Sequence, residues 1–200
     1  MNFLFDIGNV IIGVDFIPSL KRLIPHDTVD PELRLNTLLE RKDDFEAGRI
    51  HHEEYFSWAA ETINFKGSRE EFLTAWLDIF EPNKAMLKCI EELHQQGHRL
   101  VLFSNINNPH KDYLLEKYPI FKKFEGGVFS YQTGHIKPEP EIYQIAIDEW
   151  QLDPANTAYI DDLPANIAGG EKAGFLCHQY DTQRHEEFLT WVRGLDGVIS

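Results

Sequence analysis

The chain opens on a short apolar run, Phe3-Leu-Phe5, which stops at an acid, Asp6, and a Gly8-Asn9 pair before a second run, Val10-Ile-Ile12. Runs this short, edged by Gly and Asn, read as strands joined by a turn. A strand of that kind at the head of a chain belongs in the centre of a parallel sheet. The strand–helix alternation that such a sheet needs does not follow directly. From about Phe16 to Phe80 the chain is charged, with apolar and aromatic residues at helical spacing: Leu35, Leu38 and Leu39, then Tyr55, Trp58 and Ala59, then Phe72, Ala75, Trp76 and Ile79. Asp27, Glu32 and Ser68 sit where helix starts use them. The stretch reads as three or four helices with no clear strand, closed by Pro82.

Alternation begins after Pro82. A helix from about Lys84 to Gln96 ends at Gly97, and Arg99–Ser104 is a buried strand. A helix around 109–117, a short strand at 128–130, a helix at 141–150, a strand at 157–161, a helix at 164–174, a strand at 175–180 and a terminal helix at 186–192 follow. Repeated strand–helix units imply an α/β fold, a parallel sheet covered by helices on both faces. The domain expectation is an α/β core of residues 1–15 and 82–200, interrupted after its first strand by an α-helical bundle of residues 16–81. An insertion at that point lies over the carboxyl ends of the strands, where open α/β sheets bind ligands, and is placed to act as a lid.

Composition narrows the partners. Hydrophobic residues make up 42% and charged residues 26% of the chain, as in an ordinary folded domain. The net charge of −14 argues against nucleic acid and anionic membranes, both of which need a basic face. It leaves room for a small anionic substrate, because a cation in a local site outweighs the global field. Cys89 and Cys177 form no framework and read as reduced thiols. The opening residues lack the basic region and apolar stretch of a signal peptide, and no apolar run approaches the roughly 20 residues that span a bilayer. A cytoplasmic monomer or weak dimer is the expectation.

Four places at strand ends carry candidate chemistry: Asp6, Ser104-Asn105, Lys137 and Asp161-Asp162. Each has a plainer reading. Asp6 could serve a turn, Ser104-Asn105 could cap the next helix, and Lys137 before Pro138 could be a solvated loop charge. Two adjacent acids closing a strand repel each other, and a cation is a natural reason to keep them. Together the set suits phosphoryl transfer through an aspartyl-phosphate with a divalent ion held by the acids, and Mg²⁺ prefers such oxygen ligands.

These segments resemble the haloacid dehalogenase (HAD) superfamily. The resemblance rests on Phe3-Leu-Phe-Asp-Ile-Gly-Asn-Val10, Leu102-Phe-Ser-Asn105, Ile136-Lys-Pro-Glu-Pro-Glu-Ile-Tyr143, and Tyr159-Ile-Asp-Asp-Leu-Pro-Ala-Asn166 followed by Ala168-Gly-Gly-Glu-Lys-Ala-Gly174. Within it the chain is most similar to YihX-type glucose-1-phosphate phosphatases and, more distantly, to the phosphatase domain of soluble epoxide hydrolase. A similar stretch in the helical region is Phe45-Glu-Ala-Gly-Arg-Ile50. The resemblance implies a Rossmann-like core with a helical cap. It also implies a Mg²⁺-dependent phosphatase of a small phosphorylated metabolite, such as glucose 1-phosphate. By position, Asp6 matches the nucleophile, Ser104 and Asn105 the phosphate-binding pair, and Lys137 the lysine that steadies nucleophile and phosphate. Asp162 matches a direct Mg²⁺ ligand, Asp161 a direct or water-mediated one, and the Gly8 carbonyl a further ligand.

One position departs from the pattern. Most phosphatases of the superfamily carry a second aspartate two residues after the nucleophile, which protonates the leaving group and then activates water. Here that position is Gly8, although the YihX type also reads Asp-x-Gly-Asn-Val. Losing a positioned acid/base removes roughly 10²–10⁴-fold in rate, which an anomeric leaving group needs least. Substitutes are Asp15, near the junction of core and insertion, and His110, just beyond Ser104-Asn105, although a capping or surface residue is the favoured reading of each. Asp44, Phe45, Glu46 and Arg49 are candidates for the site entrance, with Glu46 an accessory site residue. His51-His52 lacks the partner spacing of a metal site. Two other readings stay open on the same fold: a 2-haloacid dehalogenase, which uses no metal, and a non-catalytic protein that binds a phosphate ligand.

Overall fold

The computed structural model describes residues 1–26 and 28–195; the helix-start reading of Asp27 lies outside them. In chain order the elements are β1 (Asn2–Phe5), β2 (Ile12–Val14), α1 (Phe16–Lys21), α2 (Pro31–Glu40), α3 (Lys42–Glu46), α4 (His52–Thr62), α5 (Arg69–Leu77), β3 (Phe80–Pro82), α6 (Lys84–Gln95) and β4 (Arg99–Ser104). Then come α7 (Asn108–Lys117), β5 (Gly127–Phe129), α8 (Ser130–Thr133), α9 (Pro140–Trp150), β6 (Thr157–Asp161), α10 (Pro164–Lys172), β7 (Leu176–Gln179) and α11 (His185–Arg193).

Five strands form one parallel sheet in the order β5-β4-β1-β6-β7, with β1 in the middle as expected. Phe3, Leu4 and Phe5 are all fully buried, because a central parallel strand is covered on both faces. Side chains alternate across the pleat. Phe3, Phe5, Leu100 and Leu102 pack with Met86 and Ile90 of α6, Leu114 of α7 and Phe188 of α11. Leu4, Val101, Phe103 and Tyr159 pack with Ile142, Tyr143 and Ala146 of α9. Three layers result, and every strand points its carboxyl end to one edge.

The helical stretch has an apolar cluster of its own, built around Leu38, Phe45, Tyr55, Phe56, Phe72 and Trp76. Among the described residues it holds five helices, where sequence reading expects three or four. At six and five residues, α1 and α3 are too short to show a 3.6-residue period. Ser68 caps α5 through a capping box with Glu71, as its position implies. A strand was not expected before Pro82, yet β3 pairs antiparallel with β2, Val14 against Phe80 and Ile12 against Pro82. Three residues ending in proline carry no alternation signal. The ribbon brings both ends of the helical stretch together beside the sheet. Ser130, read as the end of a strand, instead opens α8.

Close packing of α10 on the sheet sets a demand at Gly170, where a Cβ would collide with the Tyr159 ring and stand 2.9 Å from the Cys177 sulfur. Gly170→Ala is expected to cost about 1–3 kcal/mol through overpacking. Denaturant titration reads this directly, and an unmoved midpoint would contradict the packing described.

Candidate active site

The chain leaves β1 through a tight turn. The Asp6 amide still bonds to the β6 carbonyl of Ile160 at 2.9 Å, and the Ile7 carbonyl then accepts from both Ile11 and Ile12. Asn9 sits in the left-handed region at φ 52°, tolerated by an Asn side chain that bonds locally. Its Oδ1 accepts from Val14 N, and its Nδ2 donates to Asp162 Oδ2 at 3.1 Å. The turn therefore aims Asp6 over the sheet edge and ties itself to the end of β6.

Lys137 joins the strand ends. Its Nζ donates to Asp6 Oδ1 at 2.9 Å, to the Phe103 carbonyl at 2.7 Å and to Asp161 Oδ2 at 2.6 Å. Those three bonds use every ammonium proton. The lysine reaches there because Asn105 clamps its backbone: Lys137 N donates to Asn105 Oδ1 at 2.7 Å, and Asn105 Nδ2 donates to the Lys137 carbonyl at 2.9 Å. Ser104, at the end of β4, is buried on the same cavity, which measures about 200 Å³ and also takes in Asp6, Gly8, Asn105 and Asp162. All the residues singled out at strand ends thus meet at one sheet edge.

The two adjacent acids differ. Asp161 is fully buried. Its Oδ1 accepts from Leu163 N at 2.9 Å and Asn166 Nδ2 at 3.0 Å, and its Oδ2 from Lys137 and from the Tyr159 hydroxyl at 2.6 Å. Four donors occupy its lone pairs. Asp162 is half-buried and accepts from Asn9. One oxygen from each of Asp6, Asp161 and Asp162 lies within 4.8 Å of the others.

Electrostatics follow from that crowding. Burial pushes the Asp6 carboxyl up to about 7, against the pull of Lys137 and with help from Asp161 and Asp162. Burial also works against the Lys137 ammonium, but the Asp161 and Asp6 carboxylates outweigh it and hold it above the usual lysine range. Burial would raise Asp161 too, yet Lys137, Tyr159 and the Leu163 amide keep it below the usual carboxylate range. Three carboxylates face one ammonium, a local excess of negative charge that a divalent cation would relieve.

The accessory candidates separate. Asp15 caps α1, accepting from Ile17 N, and lines an outer hollow of about 570 Å³ rather than the cavity at Asp6. His110 does line that cavity, but both ring nitrogens are engaged, Nδ1 with Asn107 Nδ2 at 2.9 Å and Nε2 with the Trp76 carbonyl at 3.1 Å. A carbonyl only accepts, so Nε2 carries the proton and Nδ1 accepts. Burial lowers the ring's pKa to about 3. Neither residue supplies a free acid/base: Asp15 is spent on a helix start, His110 on a contact between α7 and α5.

Of the expected entrance residues only Glu46 reaches the cavity. Phe45 stacks on Tyr55 inside the helical cluster, while Asp44 and Arg49 pair with each other at the surface. His51 caps α4. Sequence reading missed Lys42, which enters the cavity beside Glu46; one lysine in a five-residue helix carries no signal. It also left Asn9, Tyr159 and Asn166 without roles, although all three stand inside the segments it singled out.

A family model described as haloacid dehalogenase-like hydrolase matches residues 1–174. The chain belongs to this family. Among curated relatives of this HAD hydrolase, a D-ribitol-5-phosphate phosphatase of Bacteroides thetaiotaomicron is 28% identical over all of the chain and 98% of its own length. A sesquiterpene phosphatase of Aspergillus oryzae is 25% identical over 86% of each. Among solved structures, a HAD family enzyme of B. thetaiotaomicron in complex with magnesium and inorganic phosphate aligns at TM-score 0.78 and 23% identity, over 94% of this chain and 98% of that one. A HAD-like hydrolase of Porphyromonas gingivalis aligns at TM-score 0.77 and 26% identity, over 97% and 98%. The α/β HAD fold expected from the sequence is the fold observed.

Because His110 is a neutral packing residue, His110→Ala should lower unfolding free energy by about 3 kcal/mol. It should leave the shape of any pH–rate profile between about pH 5 and 8 unchanged, since the ring is uncharged throughout. Loss of a limb near pH 6.5 would overturn that assignment.

Proposed function

We propose that the protein is a Mg²⁺-dependent phosphomonoesterase of a small phosphorylated metabolite, with Asp6 as nucleophile. The observation that carries this reading is the Asp6 carboxylate held by Lys137 at the sheet edge, beside Ser104 and Asp162. Residues 16–81 are proposed as a cap over a core of 1–15 and 82–200, supported by the separate apolar cluster and the β2–β3 ribbon.

An Asp6 oxygen attacks phosphorus and the ester oxygen leaves with the bonding electron pair and takes its proton from solvent water, leaving an acyl phosphate on Asp6. Water then attacks the same phosphorus, Asp6 is released as carboxylate and inorganic phosphate leaves. Lys137 fixes one Asp6 oxygen so that the other faces the substrate, and its charge favours the negative charge that builds on the phosphoryl group. The Ser104 hydroxyl and the remaining Asn105 amide proton are the groups assigned to the phosphoryl oxygens, a reading supported by their position on the cavity that Asp6 lines. Asp6, Asp162 and the Gly8 carbonyl are the groups for Mg²⁺, which supplies positive charge to those oxygens when bound. Asp161, its lone pairs already filled by protein donors, acts on Lys137 and at most indirectly on the ion.

Space does not explain Gly8. A Cβ there would stand 3.7 Å from Val14 and 3.9 Å from Asp6, both ordinary contacts. With Asp15 and His110 committed elsewhere, the leaving group departs without help from either. That favours a sugar 1-phosphate such as glucose 1-phosphate, whose anomeric oxygen leaves readily. Similarity to the ribitol-5-phosphate phosphatase favours a polyol phosphate instead. Turnover on glucose 1-phosphate, glucose 6-phosphate and ribitol 5-phosphate ranks the two; equal or better rates on the primary esters would remove the leaving-group argument.

p-Nitrophenyl phosphate should be hydrolysed with Mg²⁺ and not after chelation, and Asp6→Asn should lower turnover at least about a thousandfold. Hydrolysis of 2-chloropropionate without metal would establish the dehalogenase reading instead. Phosphate binding without turnover would establish the non-catalytic one.

The raised Asp6 pKa gives a second test. The folded chain holds this proton up to about pH 7, while the unfolded chain releases it near 3.8. Stability from this group is therefore complete below 3.8 and lost as pH rises through about 7. Mg²⁺ must displace that proton. Its apparent affinity, and the thermal stabilisation it confers, should climb from about pH 5 and level off above pH 7. A flat response would contradict binding at Asp6.

A further inference from the structure

The cavity over Asp6 has a second end that phosphate chemistry leaves unused. Lys42 and Glu46 stand one helical turn apart on α3 and project into it, paired through Lys42 Nζ and Glu46 Oε2 at 2.8 Å. The Glu46 side chain is only 8% exposed. The same cavity also has apolar wall residues, Val14, Phe16, Phe80 and Leu114. Burial raises the pKa of the Glu46 carboxyl, against the pull of Lys42. Burial also opposes the charge on Lys42, but the carboxylates of Glu46, Asp43 and Asp6 more than offset it, so the ammonium stays charged.

Stability does not account for such a pair, because the Lys42 side chain is 38% exposed and ion pairs open to solvent on one side contribute little. The pair also keeps bonding capacity in reserve. Among the described residues the Lys42 ammonium makes one hydrogen bond, to Glu46, which leaves two donors. Glu46 keeps lone pairs on its carboxylate. A donor and an acceptor side by side match a hydroxyl, which accepts from one and donates to the other. The apolar wall matches the C–H faces of the carbons between.

The position of the pair relative to Asp6 is fixed through the backbone. The Ser130 hydroxyl donates to the Glu46 carbonyl at 2.5 Å while accepting from Ile106 N at 2.9 Å. Gly48, at φ +69°, lies against the Tyr131 carbonyl with no room for a Cβ. Arg49 donates to the Gly134 carbonyl at 3.2 Å and pairs with Glu139 at 3.3 Å. The end of α3 is thus bound to segment 130–139, the same segment that delivers Lys137.

We propose that Lys42 and Glu46 form the leaving-group subsite, and that they select phosphate monoesters of compact, polyhydroxylated carbon chains over esters of apolar alcohols. This rests on the phosphatase reading above and deepens it. A cavity of about 200 Å³ holds a small polyol or monosaccharide rather than a long hydrocarbon.

The test is the ratio of kcat/KM for ribitol 5-phosphate, or glucose 1-phosphate if that is the better substrate, to kcat/KM for p-nitrophenyl phosphate. Lys42→Met and Glu46→Gln should each lower this ratio at least tenfold, mainly through KM of the hydroxylated ester, and Lys42→Arg should keep more of it. The double variant Lys42→Met/Glu46→Leu replaces the pair by apolar volume and guards against misfolding of the single ones; thermal melting confirms that it is folded. A folded double variant with an unmoved ratio overturns the subsite, as does a wild-type enzyme that hydrolyses p-nitrophenyl phosphate but no hydroxylated ester. A wild-type protein that hydrolyses no phosphate monoester at all removes the phosphatase reading, and the subsite with it.

Discussion

One buried ammonium organises the site. Lys137 is 3% exposed and bonds at once to the carboxylate after β1, a carbonyl of β4 and the carboxylate that ends β6. Taking a lysine and two carboxylates out of water costs several kcal/mol per ion before their attraction returns any of it. The arrangement holds only because each remaining polar atom finds a partner: Tyr159, Asn166 and the Leu163 amide complete Asp161, and Asn105 secures the lysine backbone from both sides. Removing one member leaves a buried charge uncompensated, so the cluster resists piecemeal change. It also explains why two adjacent acids behave so differently. Asp161 is consumed inside the protein, and Asp162 still faces the cavity.

What was legible in the sequence follows from the range of each physical signal. The sheet strands could be read because burial on both faces writes a continuous apolar run, and the strand ends could be read because each run stops at a polar residue that chemistry can use. Asp6, Ser104 and Asp161-Asp162 all announced themselves in this way, whereas Lys137 lies in the loop between α8 and α9 and ends no strand. The short elements did not. Helix α3 has five residues and β3 has three, below the length at which any period repeats. Their placement depends on tertiary contacts instead, β3 on β2 and α3 on segment 130–139. Lys42 was invisible for that reason. Asp15 and His110 could not be settled from sequence, because a polar residue near the site looks the same there whether its bonds point into the cavity or away from it; the structure gives the plainer capping reading at Asp15 and a packing role at His110.

The proposed cap and core divide the labour. The sheet edge holds the groups that would act on phosphorus, through bonds spanning 131 positions between Asp6 and Lys137. The helical insertion reaches that edge through α3 and through Phe16 of α1, while most of its aromatic cluster packs on itself. Changes on α3 can therefore alter what is recognised with little effect on how the nucleophile is held. The overall charge of −14 is compatible with an anionic substrate on these terms, because the charge that matters to phosphate is local: Lys137 at the nucleophile, Lys42 across the cavity, and the cation that three crowded carboxylates invite.

Gly8 and the Lys42–Glu46 pair line the same cavity, and in the proposed reading both bear on the leaving group. Position 8 has room for a side chain and carries none, so no acid reaches the ester oxygen from the core. Glu46 faces the cavity with Lys42 2.8 Å from its Oε2; the ammonium favours the charged, accepting carboxylate, while burial opposes it and raises the pKa. The pair thus offers the cavity both a hydrogen-bond donor and an acceptor. Such a site discriminates by the hydroxyls it can satisfy and by the ease with which the ester oxygen departs. A hydroxylated leaving group meets the first demand and an anomeric oxygen the second. The proposed sugar 1-phosphate meets both, and a polyol phosphate meets the first alone.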